Sequence, residues 1–356
     1  MVFLSSWREA YFAPIYRPKL QKNKYFCTKI LRKVTPHTTL SNQTVPTTPV
    51  GRYAPSPTGR MHLGNLYSAL LSWLSVRSRG GRWVLRIEDL DPQRSRMEYA
   101  RLIEDDLVWL GLDWDEGGPD DRGPHGPYSQ SRRANIYEDY LNRIIATGYT
   151  YPCTCTRADI MATQAPHQSD GRVIYGGRCR PKRMPDFTAH AGIKCATRLY
   201  VPDEEILFTD RVYGPQRVNL THECGDFILR RADGAWAYQL AVVVDDALMG
   251  VNEVVRGSDL LLSTAQQVYL CRLLGFTPPA YAHVPLVCNS DGRRLSKRDL
   301  SLNMSELRTR YSARDIIGKL ACMAGLIPEP SPCTASELIQ LFDWDKVPKS
   351  MTVCVE

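Results

Sequence analysis

The chain has no run of 18 apolar residues, so nothing in it reads as a transmembrane helix. It has no G-x-G-x-x-G and no G-x-x-x-x-G-K-[ST], which sets aside the two common nucleotide fingerprints. Its N-terminus lacks the apolar core of a secretory signal. The 11 cysteines follow no evenly spaced framework, which argues for reduced thiols in a cytosol rather than a disulfide scaffold. No internal repeat is present. Acids are scarce at the start: residues 1–50 hold eight Lys or Arg and one acid, Glu9. The other 306 residues balance at 37 basic and 37 acidic groups, so the net charge of +7 belongs to the arm alone. Polyanion binding by the body must therefore use local basic patches. The arm is basic like a transit peptide, but Pro14, Pro18 and close-spaced lysines break its apolar residues, and a disordered tail is expected over 1–50.

With 356 residues, 43% of them apolar and 23% charged, the chain has the make-up of a globular protein of more than one average domain. Val50 to Tyr53 reads as a strand that ends in a Pro- and Gly-bent loop. Leu66, Leu70, Trp73 and Leu74 lie at helical spacing over 63–76, and Gly80-Gly81 stops that helix. Trp83 to Ile87 is a second strand, with Glu88, Asp89 and Asp91 at its carboxyl end. Strand, helix, strand is a βαβ unit, and ligands in such sheets sit beyond the carboxyl ends of the strands. Helices are expected over 95–114 and over 132–147, the latter with a stripe of Ile136, Tyr140, Ile144 and Ile145. From Tyr151 to Pro185 the composition turns to cysteine and glycine, which suggests an inserted module outside the sheet. The α/β pattern returns with Ala241-Val242-Val243-Val244 and Glu253-Val254-Val255-Arg256. A helix over 259–274, with Ser258 as its N-cap, precedes a strand at His283 to Cys288.

Two distant loops suggest one ATP site. In the first, Arg52 to Asn65, His62 stands just before a helix start, where unpaired N–H groups and the helix dipole favour anions. Gly64 allows close approach of a ligand to the backbone. In the second, Arg293-Arg294-Leu295-Ser296-Lys297-Arg298, Lys297 offers a mobile charge for a departing phosphate and Ser296 a hydroxyl.

Pro57-Thr58-Gly59-Arg60-Met61-His62-Leu63-Gly64-Asn65 resembles the HIGH signature of class I aminoacyl-tRNA synthetases. Arg294-Leu295-Ser296-Lys297-Arg298 resembles their KMSKS signature. Asn65 stands where HIGH has its second His, and Arg294 where KMSKS begins with Lys. The flanking Arg52-Tyr53-Ala54-Pro55-Ser56 and Arg86-Ile87-Glu88-Asp89-Leu90-Asp91 are similar to the glutamate branch, and the likeness runs from about residue 51 to 305. It implies an α/β, Rossmann-like catalytic fold with an inserted zinc-binding module and a short helical C-terminal part. The expected divisions are the arm 1–50, a first catalytic half 51–150, the zinc module 151–185, an insertion and second half 186–298, and a helical segment 299–356. The resemblance also implies ATP-binding by His62, Gly64, Asn65 and Lys297, with Mg²⁺ accompanying ATP.

Glutamate has two carboxylates and one ammonium, so its site needs two cationic forks and an acid. Arg52 and Arg256 can supply the forks, Glu88 the acid and Tyr238 a hydroxyl. Those positions and the run Arg52, Tyr53, Ala54, Pro55, Ser56 match the family's glutamate-binding residues. The residues by themselves leave open a structural ion pair between Arg52 and Glu88. Cys153, Cys155 and Cys179 offer three corners of a metal tetrahedron. The resemblance names Tyr175 as the fourth ligand of one structural Zn²⁺, because glutamyl-queuosine synthetases show C-x-C … Y-x-x-x-C. The 19 residues between Cys155 and Tyr175 include His167, a rival ligand. Three ordinary thiols are the alternative, and the other eight cysteines carry no motif.

Residues 299–356 cannot supply the long anticodon-binding region of a full glutamyl-tRNA synthetase. The likeness therefore points to the shortened branch, which transfers glutamate to the queuosine base of tRNA(Asp), in a monomeric cytoplasmic enzyme. Truncated 3′-end charging and a non-catalytic RNA-binding module are the alternatives. Arg178, Arg180, Lys182 and Arg183 form a basic patch suited to RNA or merely to water.

Overall fold

The computed structural model describes residues 48–156, 158–159, 174–184, 194–289 and 303–354. Residues 1–47 of the basic arm, His167, Ser296 and Lys297 lie outside them.

Strand β1 (Val50–Tyr53) enters the Pro-bent loop, and helix α1 (Leu63–Arg77) starts behind His62. Strand β2 (Arg82–Leu85), helix α2 (Met97–Trp109) and the short β3 (Glu116–Gly117) complete a parallel sheet of order β1-β2-β3. Helix α3 (Ala134–Ile145) leads to β4 (Thr150–Cys153), which pairs antiparallel with β5 (Ala196–Leu199). A hairpin of β6 (Glu205–Asp210) and β7 (Gly214–Asn219) is followed by the single-turn α4 (Leu220–Glu223) and β8 (Phe227–Arg230), which joins β5. Helix α5 (Tyr238–Leu248), β9 (Glu253–Gly257), α6 (Leu261–Leu274) and β10 (Ala280–Val284) come next, β10 lying parallel to both β9 and β6. Strand β11 (Leu286–Cys288), helices α7 (Met304–Arg310) and α8 (Ala313–Met323), and β12 (Thr352–Cys354), parallel to β11, close the described chain.

Four expectations change. Ala241–Val244 is part of helix α5, not a strand. Leu240 to Asp246 is buried throughout, and an apolar run without a polar face has no period by which to choose helix over strand. Ser258 is not an N-cap: it lies in a 3-10 turn, Ser258–Leu260, and its hydroxyl donates to the Met351 carbonyl. The C-terminal segment is not wholly helical, since β12 extends β11. The Cys-rich module begins inside a small antiparallel sheet of order β4-β5-β8.

The parallel β1-β2-β3 sheet and a mixed sheet of order β7-β6-β10-β9 abut at β1 and β9. Asn252 donates its N–H to the Val50 carbonyl at 3.0 Å, and Arg52 donates to the Val255 carbonyl at 3.1 Å. Both faces of this layer are covered. Trp83 and Leu85 face a core built on α1, α2 and the C-terminal helices, while Val84 faces one built on α3, α5 and α6. Side chains alternate across a strand. The alternation that buries Val50, Val84, Val254 and Tyr281 carries Arg52, Arg86, Arg256 and His283 to the same face, two positions nearer the carboxyl ends.

Arg86 is the hub of that face. It is fully buried, donating to Asp246 at 2.7 Å and Glu88 at 3.3 Å, with Asp245 at 3.8 Å. Burial works against its charge, but Asp246, Asp245 and Glu88 together raise its pKa above the ordinary arginine value. Asp245 also receives Arg133 at 2.6 Å, Gln130 at 2.8 Å and the Tyr137 hydroxyl at 2.9 Å. These bonds tie β2 to α3 and α5. Arg86→Ala would leave buried carboxylates short of a cation, and a loss of about 3–5 kcal/mol in urea unfolding is expected. An unchanged urea midpoint would count against that role.

Candidate active site

His62 is the N-cap of α1. Its Nδ1 accepts the Gly64 N–H at 3.2 Å, and Asn65 Oδ1 accepts the His62 N–H at 3.1 Å, a reciprocal capping box. An accepting Nδ1 puts the ring proton on Nε2, which makes that nitrogen the donor. Gly64 does not line the adjoining cavity. A Cβ there would lie 3.1 Å from His62 Cε1, so the space serves the imidazole rather than a ligand.

The segment that carries Ser296 and Lys297 leaves and re-enters the described chain beside this cap. On one side, Val287 Cβ lies 3.7 Å from the Cβ position of Gly64. On the other, Asn303 bridges His62 and Met304 donates its N–H to the Met61 carbonyl at 2.9 Å.

A cavity of about 450 Å³ opens at the carboxyl ends of β1 and β9. All eight residues expected to bind glutamate line it: Arg52, Tyr53, Ala54, Pro55, Ser56, Glu88, Tyr238 and Arg256; His62 and Asn65 line it as well. Arg52 and Arg256 are 4% and 5% exposed, so their charges sit in a nearly dry wall. Burial lowers the Arg52 pKa, with Asp246 acting against it. Burial raises the pKa of Glu88, against the pull of Arg86 and Arg52. It also raises that of Tyr238. The Arg52–Glu88 ion pair does not form. Arg52 faces Asp246 at 3.5 Å, and Glu88 bonds to Arg86. The Tyr53 hydroxyl is engaged by Met61 Sδ at 3.2 Å. A second cavity of about 700 Å³ shares Ser56, Thr58, Glu88 and Tyr238 with the first and adds Arg94, Arg231, Asp233 and Trp236.

Sequence reasoning missed Asp245, Asp246 and the polar shell of Arg256, and took Arg86 only as part of a signature. The available signal was two acids closing the apolar run of α5, and charged residues at strand ends.

The sulfurs of Cys153, Cys155 and Cys179 all lie within 4.8 Å of one another. Cys155 Sγ is 3.5 Å from Cys179 Sγ, and the Tyr175 hydroxyl is 3.6 Å from Cys153 Sγ and 3.9 Å from Cys155 Sγ. Edges of about 3.5–3.8 Å are those of a tetrahedron around a metal with bonds of about 2.0 Å to oxygen and 2.3 Å to sulfur. The cluster could therefore hold a metal, with the phenol at the fourth corner. Arg198 stacks over the Tyr175 ring at 3.8 Å. Arg180 is not a free member of the basic patch, because it donates to Asp226 at 2.7 and 2.8 Å. Lys182 and Arg183 are exposed. Tyr175 is bridged to Gly225, whose φ of +67° and 3.0 Å clearance from the Tyr175 backbone exclude a side chain. Gly225→Ala is expected to cost about 1–2 kcal/mol and expose Cys153 to thiol labelling. Unaltered labelling kinetics would speak against that support.

Residues 50–356 match the family model described as tRNA synthetases class I (E and Q), catalytic domain. A "Glutamyl-Q tRNA(Asp) synthetase" of Symbiobacterium thermophilum is 49% identical over 305 residues, covering 84% of this chain and 94% of the relative. One of the same name from Nitratidesulfovibrio vulgaris is 47% identical over 302 residues, covering 84% and 93%. The crystal structure of a glutamate tRNA ligase from Elizabethkingia meningosepticum, in complex with its amino acid, superposes with a TM-score of 0.72 at 30% identity, covering 86% of this chain and 67% of that one.

Proposed function

The chain belongs to the family of class I tRNA synthetases for glutamate and glutamine, and from that premise we propose that it activates glutamate with ATP and transfers it to the queuosine base of tRNA(Asp). One observation carries the glutamate reading: two buried guanidinium groups, Arg52 and Arg256, face one cavity with Glu88 and Tyr238. Arg52 and Arg256 take the two carboxylates, and Glu88 takes the ammonium. The wall is richer in cation than in anion where the substrate sits. Glu88 and Asp246 already serve Arg86. A dicarboxylate supplies the missing charge.

The α-carboxylate of glutamate attacks the α-phosphorus of ATP in line. The bond from that phosphorus to the bridging oxygen breaks, pyrophosphate leaves, and glutamyl-adenylate remains. His62 Nε2–H and the first turn of α1 meet the phosphates, and the Lys297 ammonium neutralises the charge that grows on the departing pyrophosphate. Mg²⁺ arrives with ATP. In the second step a queuosine hydroxyl attacks the acyl carbon and AMP leaves. The second cavity, which shares Glu88 and Tyr238 with the first, suits the incoming nucleoside through Trp236, Arg94 and Arg231.

Cys153, Cys155, Cys179 and Tyr175 hold one Zn²⁺. It supplies no chemistry to the reaction but closes a small module that cannot build its own core. The fit rests on three sulfurs within 4.8 Å of one another and a phenol oxygen 3.6 Å and 3.9 Å from two of them.

Three measurements test this reading. Arg52→Ala should lower glutamate-dependent ATP–pyrophosphate exchange by about 100-fold or more, since it strands a substrate carboxylate. Unchanged exchange refutes the assignment. Labelled glutamate should transfer to queuosine-containing tRNA(Asp), blocked at its 3′ end, and not to the queuosine-free form. Equal transfer to both rejects queuosine as acceptor. Protein purified without chelator should carry about one zinc per chain, and less than about half an equivalent counts against the site.

A further inference from the structure

Each nitrogen of the Arg256 guanidinium donates to a neutral acceptor. Nε reaches His283 Nε2 at 3.0 Å, one terminal nitrogen reaches Gln267 Oε1 at 2.8 Å, and the other reaches Thr264 Oγ1 at 2.7 Å. A guanidinium has five N–H groups. One therefore remains on each terminal nitrogen, the pair that can grip a carboxylate bidentately. No acid lies within ion-pair distance of Arg256 among the described residues, whereas Arg86 faces three. The fork is oriented without being neutralised.

His283 can play that part only as one tautomer. Its Nδ1 lies 2.7 Å from Asp210 Oδ2, and a carboxylate only accepts, so Nδ1 carries the proton and Nε2 is an acceptor, facing both Arg256 Nε and, at 3.1 Å, the Thr264 hydroxyl. Asp210 is held in turn: Oδ1 accepts the Val212 and Tyr213 N–H groups at 3.0 Å each, and Oδ2 accepts the His283 N–H at 3.0 Å. Both side chains are fully buried. Burial, with Arg256 nearby, pushes the imidazole pKa down to about 4, so the ring is neutral near pH 7. A carboxylate in contact with Arg256 would itself form the ion pair and compete with the substrate. The interposed ring keeps the Asp210 charge one side chain away.

We propose that Asp210 and His283 form a positioning pair: the carboxylate sets the imidazole tautomer, and the bare Nε2 holds the Arg256 fork in register for a substrate carboxylate. The proposal rests on the reading of Arg256 as a glutamate-binding residue. It is tested by ATP–pyrophosphate exchange, with glutamate and ATP varied separately. His283→Leu should raise the KM for glutamate about tenfold, the worth of one charge-assisted hydrogen bond, with kcat and the KM for ATP within about twofold. His283→Gln, whose amide oxygen can accept from Nε, should recover most of that loss. Asp210→Asn, which permits the opposite tautomer, should resemble His283→Leu. In the unsubstituted protein, ¹⁵N-histidine NMR should find an Nδ1-protonated imidazole that is lost in both His283→Leu and Asp210→Asn, while the Nδ1-protonated ring of His125, bonded to Glu116 at 2.6 Å, stays in all three. A glutamate KM that stays put in His283→Leu while Arg256→Ala raises it overturns the pair alone. A fall in kcat with equal rises in both KM values and no recovery in His283→Gln also overturns it, as does an Nε2-protonated His283. An unchanged glutamate KM in Arg256→Ala overturns the parent reading and this one together.

Discussion

A guanidinium group taken out of water must find acceptors for its protons and compensation for its charge. Arg52, Arg86, Arg133 and Arg256 are all buried around one face of the central layer. They reach these ends by different routes. Arg86 and Arg133 converge on the acids at the end of α5, and that pairing fixes β2 against the helices. Arg52 is met by a backbone carbonyl and a more distant carboxylate. Among the described residues Arg256 has only neutral acceptors. The charge balance thus grades from satisfied beneath the sheet to unsatisfied at its rim. A rim of that kind selects an anionic ligand by leaving it work to do.

The α1 end of the cavity obeys a different constraint. The first N–H groups of α1 lack helical partners. His62 and Asn65 cap some of them reciprocally, which turns an imidazole edge and a helix dipole toward the same cavity. The stems of the basic segment are rooted at that cap by Asn303 and Val287. The β11–β12 pairing adds a second anchor, since the last described strand lies on the stem that leads into the segment.

The Cys-rich module stands apart from this logic. Among its described residues the buried apolar cluster is small, made of Tyr151, Cys153 and Tyr175. Ion pairing of Arg180 with Asp226, the stacking of Arg198 on Tyr175 and the clearance at Gly225 bring three sulfurs and one phenol to a point. The module is attached through β4 to a sheet that includes β8, a few residues before Trp236 and Tyr238. Its order is therefore linked to the wall of the second cavity.

Much was legible in the linear chain. Val50 to Tyr53, the helix after His62 and the strand at Trp83 have clean periods, so burial on one face or both could be read directly. Local chemistry also made the cap at His62, the cysteine spacing and the acid–base character of the pocket visible. What the chain could not disclose was partnership between residues far apart in sequence. Arg52 chose Asp246 over Glu88 because strand alternation and the packing of α5 put that carboxylate on its face of the layer. Asp210 and His283, 73 residues apart, met through the parallel pairing of β6 with β10. Ala241–Val244 carried no period, and only packing on all sides made it a helix. Sequence determined which groups were available and which local turns they could make. The tertiary structure alone decided which charges were neutralised and which were left facing the cavity, because desolvation and pairing depend on distances that only the folded layer sets.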